Sequence, residues 1–323
     1  MATSPVEPAP PRGVVPHLYF GGAWQKYPVH RWFVGTAWHY TSVAGLFGIV
    51  SNHELWASSA AMLNDVSEMS YGVERVREVA SRWSLPPEGD TATEDLIREA
   101  ISRLDETMVD NAPFIFSASS SPLLLNQWAN YGESSGCCVG FKALDTLHEE
   151  GLTGGFTSAG ALPLWLEVIY EAEAQDAYIH ELLDELATQD GLISQAIAHG
   201  HEPERLVTQN LAMLVAALKH PAFRSECEVR LLLLKQPTTK VHFRATPRGI
   251  VPFAKLLGTV VDPEEGVQYS TDPATRLLLP IVGVHVGPPQ GDSENRRSAS
   301  TQAFLWANGY DVHVSGAGIP YLP

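Results

Sequence analysis

Residues 32–50 read WFVGTAWHYTSVAGLFGIV and predict a β-strand followed at once by an α-helix. The first seven residues of this stretch are rich in aromatic side chains, which is typical of an extended segment. The following apolar residues recur at the spacing that places side chains on one face of a helix: Val43, Leu46, Phe47 and Val50. His39 is therefore expected at the junction between a strand and a helix.

The start of this helix predicts a site for an anionic ligand. Thr41 or Ser42 can cap the helix, which leaves its first backbone N–H groups free and its positive dipole end beside His39. An imidazole next to such a helix start suits a sugar-phosphate ligand. The alternative is a histidine that only satisfies a hydrogen bond within the core.

The chain is long and apolar enough to bury a substantial core. It has 323 residues, of which 45% are hydrophobic. The order of predicted elements indicates an α+β fold with a mixed, largely antiparallel sheet and flanking helices. We expect a flexible tail at 1–15 and one domain over 16–323, with a helical insert at about 171–219. This insert either forms a lid over the site or completes the core as a helical bundle.

The formal net charge is -16 at pH 7, and this acidic balance disfavours nucleic acid and anionic membranes as partners. No apolar run reaches the length that spans a membrane. The three cysteines have no metal-ligand spacing, which predicts reduced thiols, a cytoplasmic location and no bound metal. Small molecules fit better as partners.

Residues 226–234 predict a later strand, with a hairpin partner at 241–245. Alternation along this strand places Glu226, Glu228 and Arg230 together on one face. A charged face on an inner strand is costly unless its members pair with each other or meet a ligand. Both interpretations remain open: an internal ion pair between Arg230 and a glutamate, or a ligand site.

Two further groups of residues are candidate ligand contacts. Asn64, Asp65 and Glu68 follow a short strand and either position a ligand or form a turn with a helix cap. Trp128 and Tyr131 lie three residues apart on a predicted helix and either stack on a base or pack in the core.

The ordered motifs resemble a family known as domain of unknown function 2971, from about His39 to the C-terminus. The landmarks are HYTS at 39–42, ELW at 54–56, ND at 64–65, FS at 116–117, Trp128 with Tyr131, VGF at 139–141, Glu226 with Glu228 and Arg230, and IPY at 319–321. Phe223 stands where the pattern often has a tryptophan, and Leu322 where it often has an arginine. This resemblance implies no activity.

A histidine on an early strand, a helix start beside it and a later Glu-x-Glu strand also resemble the NAD-binding layout of the ADP-ribosyltransferase superfamily. That resemblance implies an ADP-ribosyltransferase-like core in which His39 holds the nicotinamide ribose and Thr41 lies by the carboxamide. It implies Glu228 as the catalytic glutamate, with Glu226 beside it. The remaining residues expected to contact NAD are Tyr40, Asn64, Asp65, Trp128, Tyr131 and Arg230.

The expected function is therefore that of an NAD-using ADP-ribosyltransferase or NAD glycohydrolase, of the toxin or defence-effector kind, with an unknown acceptor. NAD is then a substrate and no metal is needed. A module that senses or binds a nucleotide-like ligand without turnover is the first alternative. A nuclease-type effector is the second, which the acidic charge disfavours.

Overall fold

The computed structural model describes residues 14–20, 23–26, 31–63, 66–132, 135–143, 147–150, 163–188, 193–194, 197, 202–247, 249–262, 266–268, 270, 275–287 and 294–318. Most of the predicted N-terminal tail, residues 1–13, lies outside these ranges. The first strand begins at Val14, one residue before the tail was expected to end.

The strands are β1 (Val14–Phe20), β2 (Ala23–Lys26), β3 (Thr36–Thr41), β4 (Glu54–Ser59), β5 (Phe114–Ser119), β6 (Cys137–Lys142), β7 (Leu147–Glu149), β8 (Leu164–Glu167), β9 (Glu228–Leu233), β10 (Val241–Thr246), β11 (Gly249–Gly258), β12 (Val260–Asp262), β13 (Gly266–Gln268), β14 (Ile281–Val286) and β15 (His313–Gly316).

The α-helices are α1 (Val43–Asn52), α2 (Val66–Ala80), α3 (Thr91–Ser102), α4 (Leu104–Asp110), α5 (Leu125–Tyr131), α6 (Ala172–Ala187), α7 (Pro203–Ala217) and α8 (Glu294–Ala307). Two short 3-10 helices span Ala60–Met62 and Pro221–Glu226.

Among the described strands, eleven form one mixed sheet whose main path runs β10-β11-β4-β5-β3-β6-β14-β15. Off this path, β9 pairs with β5 and β8, and β7 pairs with β11. The β14–β15 pair is parallel, and the other pairs in the sheet are antiparallel. The predicted α+β class with a mixed, largely antiparallel sheet is confirmed.

The sheet opens beside β5. One edge of β5 pairs with β9 along its whole length, from Phe114 to Ser119. The other edge pairs with β4 at Phe114 and Ile115 and with β3 at Ser119. Within the described chain, no strand pairs with residues 116–118 on that second edge. A gap between β3 and β4 therefore lies opposite the middle of β5.

Helix α1 connects the two strands that border this gap. Its cap is Ser42, whose Oγ accepts a hydrogen bond of 3.1 Å from the backbone N–H of Gly45. Leu46 and Val50 are buried as predicted, but Val43 and Phe47 are exposed. Phe47 stacks instead on Phe304 of α8, so α1 buries only half of its apolar stripe against the sheet.

Helices cover one face of the sheet and enclose the larger core. This core takes buried side chains from α2, α3, α6 and α7, among them Val76, Ile97, Leu182 and Leu214. The described helices of the predicted insert, α6 and α7, belong to it, which favours the bundle that completes the core over a lid. A second core on the opposite face includes Leu46 of α1, Phe116 of β5 and Leu305 of α8.

Two expectations for the later strand are wrong. Glu226 ends the second 3-10 helix instead of starting a strand, and β9 begins at Glu228. The predicted partner β10 pairs with β11, a strand that the sequence pattern did not predict. The physical reason is that β9 has β5 on one edge and β8 on the other, so neither edge is open to β10.

Candidate functional site

A cleft of about 790 Å³ lies at the gap between β3 and β4. Its walls come from β3, α1, α2, β4, the middle of β5, α5, the segment that leads into β9, β10 and β11. This volume falls within the range of clefts that bind nucleotide-sized ligands.

His39 reaches the cleft from β3 as a neutral imidazole. Its Nδ1 lies 2.8 Å from the backbone oxygen of Ser117, which faces the gap. A carbonyl oxygen only accepts, so Nδ1 carries the proton and Nε2 is left as an acceptor. Burial lowers the pKa of His39 to about 4, although the hydrogen bond to Ser117 partly opposes this shift.

Five charged side chains form what we call the ion-pair cluster: Glu68, Lys219, Glu226, Glu228 and Arg230. The Nζ of Lys219 lies 2.9 Å from Glu68 Oε1, 2.6 Å from Glu226 Oε2 and 2.8 Å from Glu228 Oε2. Arg230 donates from Nε to Glu228 Oε1 at 2.8 Å and from Nη2 to Glu228 Oε2 at 2.9 Å. Its Nη2 also donates to Glu68 Oε2 at 2.6 Å. The internal Arg230–glutamate ion pair is therefore present.

The cluster keeps Glu228 and Lys219 charged. Burial by itself raises the pKa of the Glu228 carboxyl, but Arg230 and Lys219 outweigh it and lower this pKa to about 2. Burial likewise opposes the charge on Lys219, and the neighbouring carboxylates raise its pKa above the ordinary value. Three carboxylates surround two cations, so the cluster carries one net negative charge at neutral pH.

The two glutamates near β9 differ in how many of their oxygens are engaged. Both oxygens of Glu228 accept hydrogen bonds from Arg230 or Lys219. Glu226 accepts from Lys219 through Oε2, and its Oε1 has no hydrogen-bond partner in the described part of the chain. Glu226 is thus the carboxylate with an oxygen left for a ligand.

A left-handed residue places Glu226 beside Lys219. Cys227 has φ 45° and ψ 44°, a conformation that costs a non-glycine residue about 1–2 kcal/mol. Hydrogen bonds hold the backbone there, because Ser119 Oγ donates to the Glu226 carbonyl and the Ser120 N–H donates to the Cys227 carbonyl, both at 2.8 Å. The chain turns at this point from the 3-10 helix into β9.

The predicted aromatic pair on α5 is divided between the core and the cleft. Trp128 is 1% exposed, donates from Nε1 to the Pro122 carbonyl and does not line the cleft. Of the two alternatives for Trp128, the structure shows packing in the core, where this side of α5 packs edge-on against Tyr40. Tyr131 is 41% exposed and lines the cleft. Tyr40 also lines it, with its hydroxyl donating to the Ser121 carbonyl.

The other predicted contacts fall in different places. Thr41 lines the cleft. Arg230 is fully buried behind Glu228 and does not line the cleft. Asn64 and Asp65 lie outside the described residues.

His39 and Glu228 contact the same cleft from opposite faces of the sheet. Trp38 pairs with Ser119, and Ser119 pairs with Glu228, so these three side chains share a face. His39 follows Trp38 and therefore points to the other face. Both side chains line the cleft because β3 and β4 diverge at the gap.

The two basic side chains that line the cleft, Lys219 and Arg244, were not expected from the sequence. Lys219 follows the apolar end of α7 and precedes a His-Pro pair. A single cation at the end of a buried helix was therefore the one sequence feature that could have indicated its place in the cleft. Arg244 lies on β10, whose pairing the sequence did not reveal.

The middle of the chain carries Trp128, Tyr131, β6 and the three charged residues of the β9 region in the order expected for one family. Residues 127–231 match the model of a family described as protein of unknown function (DUF2971). The DUF2971 segment contains every member of the ion-pair cluster except Glu68, and it ends before Arg244. The motif at 39–42 lies outside the match, so this segment covers one wall of the cleft.

No curated protein and no solved structure matches the chain significantly. Across the described residues, no helix has the length and apolar character needed to cross a bilayer.

Proposed function

We propose that the chain is an NAD-using enzyme that cleaves the bond between nicotinamide and ribose and passes ADP-ribose to an acceptor or to water. One observation carries this proposal: a single nucleotide-sized cleft holds a neutral histidine acceptor and a glutamate with an unengaged oxygen. In the proposed complex, His39 Nε2 accepts from a ribose hydroxyl and Tyr131 packs against the nicotinamide ring.

The proposed chemistry asks for a carboxylate near the sugar. As the bond breaks, its electron pair leaves with neutral nicotinamide, and positive charge develops on the ribose. A fixed carboxylate stabilises that charge as it forms. The acceptor or water then forms the new bond to ribose and releases a proton.

We assign this role to Glu226 in place of Glu228. Both oxygens of Glu228 are held by cations, whereas Glu226 keeps Oε1 available at the cleft. In this proposal Glu228 is a positioning residue, because it fixes Lys219, which in turn fixes Glu226.

The test measures nicotinamide released from NAD by the purified chain, with and without cell extract. Release by the chain alone indicates hydrolysis, and release that requires extract indicates transfer. Glu226→Gln keeps the size of the side chain but removes its charge, so turnover should fall by about 10²-fold or more with NAD affinity largely retained.

Glu106→Gln is the matched control, because this glutamate lies on the exposed surface of α4, and its turnover should equal that of the wild type. Undiminished turnover in Glu226→Gln would remove Glu226 from the mechanism. A wild-type chain that neither binds nor consumes NAD would reject the proposed function.

A second candidate is a module that binds a nucleotide-like ligand without turnover. It is favoured by the saturation of Glu228 and by the opposite faces from which His39 and Glu228 reach the cleft. It predicts that NAD binds in calorimetry while no nicotinamide is released under either condition.

A further inference from the structure

Arg244 is a half-buried cation that lines the cleft on the side of β4. Its Nη2 donates a hydrogen bond of 2.7 Å to Ser58 Oγ. Its Nε is buried and has no hydrogen-bond partner among the described residues. A buried donor without a partner destabilises the folded chain, so this guanidinium is held in place at a cost to stability.

The guanidinium is held by aromatic rings and not by an acid. Its Cζ lies 5.8 Å from the ring centroid of Trp56 and 5.9 Å from that of Phe253. These two rings stack on each other with centroids 4.5 Å apart. Within the described chain Arg244 forms no salt bridge, and burial lowers its pKa.

Arg244 therefore differs from every other charge that lines the cleft. Lys219 is surrounded by three carboxylates. Glu54, the remaining acidic residue of the lining, is paired with Lys255 at 3.1 Å and Arg276 at 2.7 Å. The positive charge of Arg244 is thus the one in the lining that the described residues leave without an opposite charge.

The register of the strands directs Arg244 into the cleft. Arg244 pairs with Val251 on β11, and Phe253, two residues further on, pairs with Ser58 on β4. Ser58 pairs with Ile115 on β5, so Arg244 lies on the same face of the sheet as Ser58, Ile115 and Glu228. The cation and the ion-pair cluster thus border the same face of the sheet from opposite sides of β5.

We propose that Arg244 is the anion subsite of the cleft and binds the phosphate groups of the ligand. A planar guanidinium offers paired N–H donors that match phosphate oxygens. A cleft of about 790 Å³ is larger than a small carboxylate fills, whereas a dinucleotide brings both the bulk and the charged phosphates. This assignment rests on the proposed function for the identity of the whole ligand, but its test needs no turnover.

The test is calorimetric titration with three probes: ADP-ribose, pyrophosphate and adenosine. Arg244→Gln should lower the affinity for ADP-ribose and for pyrophosphate by about 10- to 100-fold, because it removes a charge-assisted pair of hydrogen bonds. The affinity for adenosine should be unchanged. Arg244→Lys keeps the charge but lacks the paired N–H donors of the guanidinium, so its loss of affinity should be intermediate. Arg103→Gln, at an exposed arginine between α3 and α4, is the control and should bind all three probes like the wild type.

Several outcomes would overturn the subsite. Two concern the variant: Arg244→Gln binds ADP-ribose as tightly as the wild type, or its affinity for adenosine falls as much as its affinity for ADP-ribose. Two concern the wild type: it binds neither phosphate probe, or it binds succinate as tightly as pyrophosphate. A parallel loss would mark Arg244 as structural, and thermal unfolding of each variant checks that the chain is folded.

Calorimetry together with the nicotinamide-release assay separates this inference from the proposed function. Pyrophosphate binding that depends on Arg244, without NAD binding, would keep the subsite and reject the NAD enzyme. Nicotinamide release with unchanged KM in Arg244→Gln would keep the enzyme and reject the subsite.

Discussion

In the proposed function, Glu228 serves the site without contacting the ligand. Its carboxylate joins Arg230, which is fully buried, to Lys219, which faces the cleft. Removing one partner of a buried ion pair costs about 3–5 kcal/mol, because the other charge stays buried without compensation. A loss of activity in a Glu228 variant would therefore not prove that this residue acts on a substrate.

The low pKa of Glu228 predicts acid sensitivity of the fold. The folded-state value of about 2 lies below the ordinary 4.5, so the charged form stabilises the folded chain above about pH 4.5. This contribution, about 3 kcal/mol from the size of the shift, is lost as the pH falls from 4.5 toward 2. Urea unfolding measures it as the difference in unfolding free energy between the wild type and Glu228→Gln, which should shrink over that window. A difference that stays constant with pH would contradict the assigned pKa.

At the scale of elements, local patterns predicted α1 and the face shared by Glu228 and Arg230. The cap at Ser42 and the alternation along β9 involve neighbouring residues, which a sequence displays directly. The pairing of β10 with β11 and the gap beside β5 involve residues distant in sequence, and no local pattern specifies them. The sequence also gave no sign of the turn at Cys227, because a left-handed position is signalled by glycine and here holds a cysteine.

The turn at Cys227 predicts an unusual response to substitution. Cys227→Gly removes the steric cost of positive φ, so the unfolding free energy should stay equal or rise by up to about 1 kcal/mol. Cys227→Val adds a β-branched side chain at the same φ and should lower it by about 1–2 kcal/mol. Cys227→Ala removes the thiol but keeps the steric cost of positive φ, so it should change the unfolding free energy by less than about 0.5 kcal/mol. Chemical denaturation checks all three, and a glycine variant less stable than the alanine variant would contradict the strained turn.

At the scale of the whole molecule, the cleft lies where several separate parts of the chain meet. Its walls come from the early β3–α1–β4 segment, from α2 and β5, from the DUF2971 segment, and from β10 and β11, which follow that segment. A ligand that reached from Arg244 to the ion-pair cluster would bridge these parts across β5. The helical layer behind β9 is packed into the larger core, so we expect ligand-linked motion at the borders of the gap and not in α6 or α7.

The net charge of the chain predicts how an anionic ligand approaches this cleft. A formal charge of -16 produces a long-range field that repels ADP-ribose, while Arg244 attracts it only at short range. Salt screens charges over a length of about 30 Å at 0.01 M and about 8 Å at 0.15 M, so added salt removes the repulsion before it weakens the contact. The association rate of ADP-ribose in stopped-flow mixing should therefore rise roughly twofold to fivefold between these concentrations. Uncharged adenosine should associate at a rate independent of salt, and Arg244→Gln should keep the salt dependence for ADP-ribose while releasing it faster. An association rate for ADP-ribose that falls with salt would mean that the field at the mouth of the cleft is positive, against the charge of the molecule as a whole.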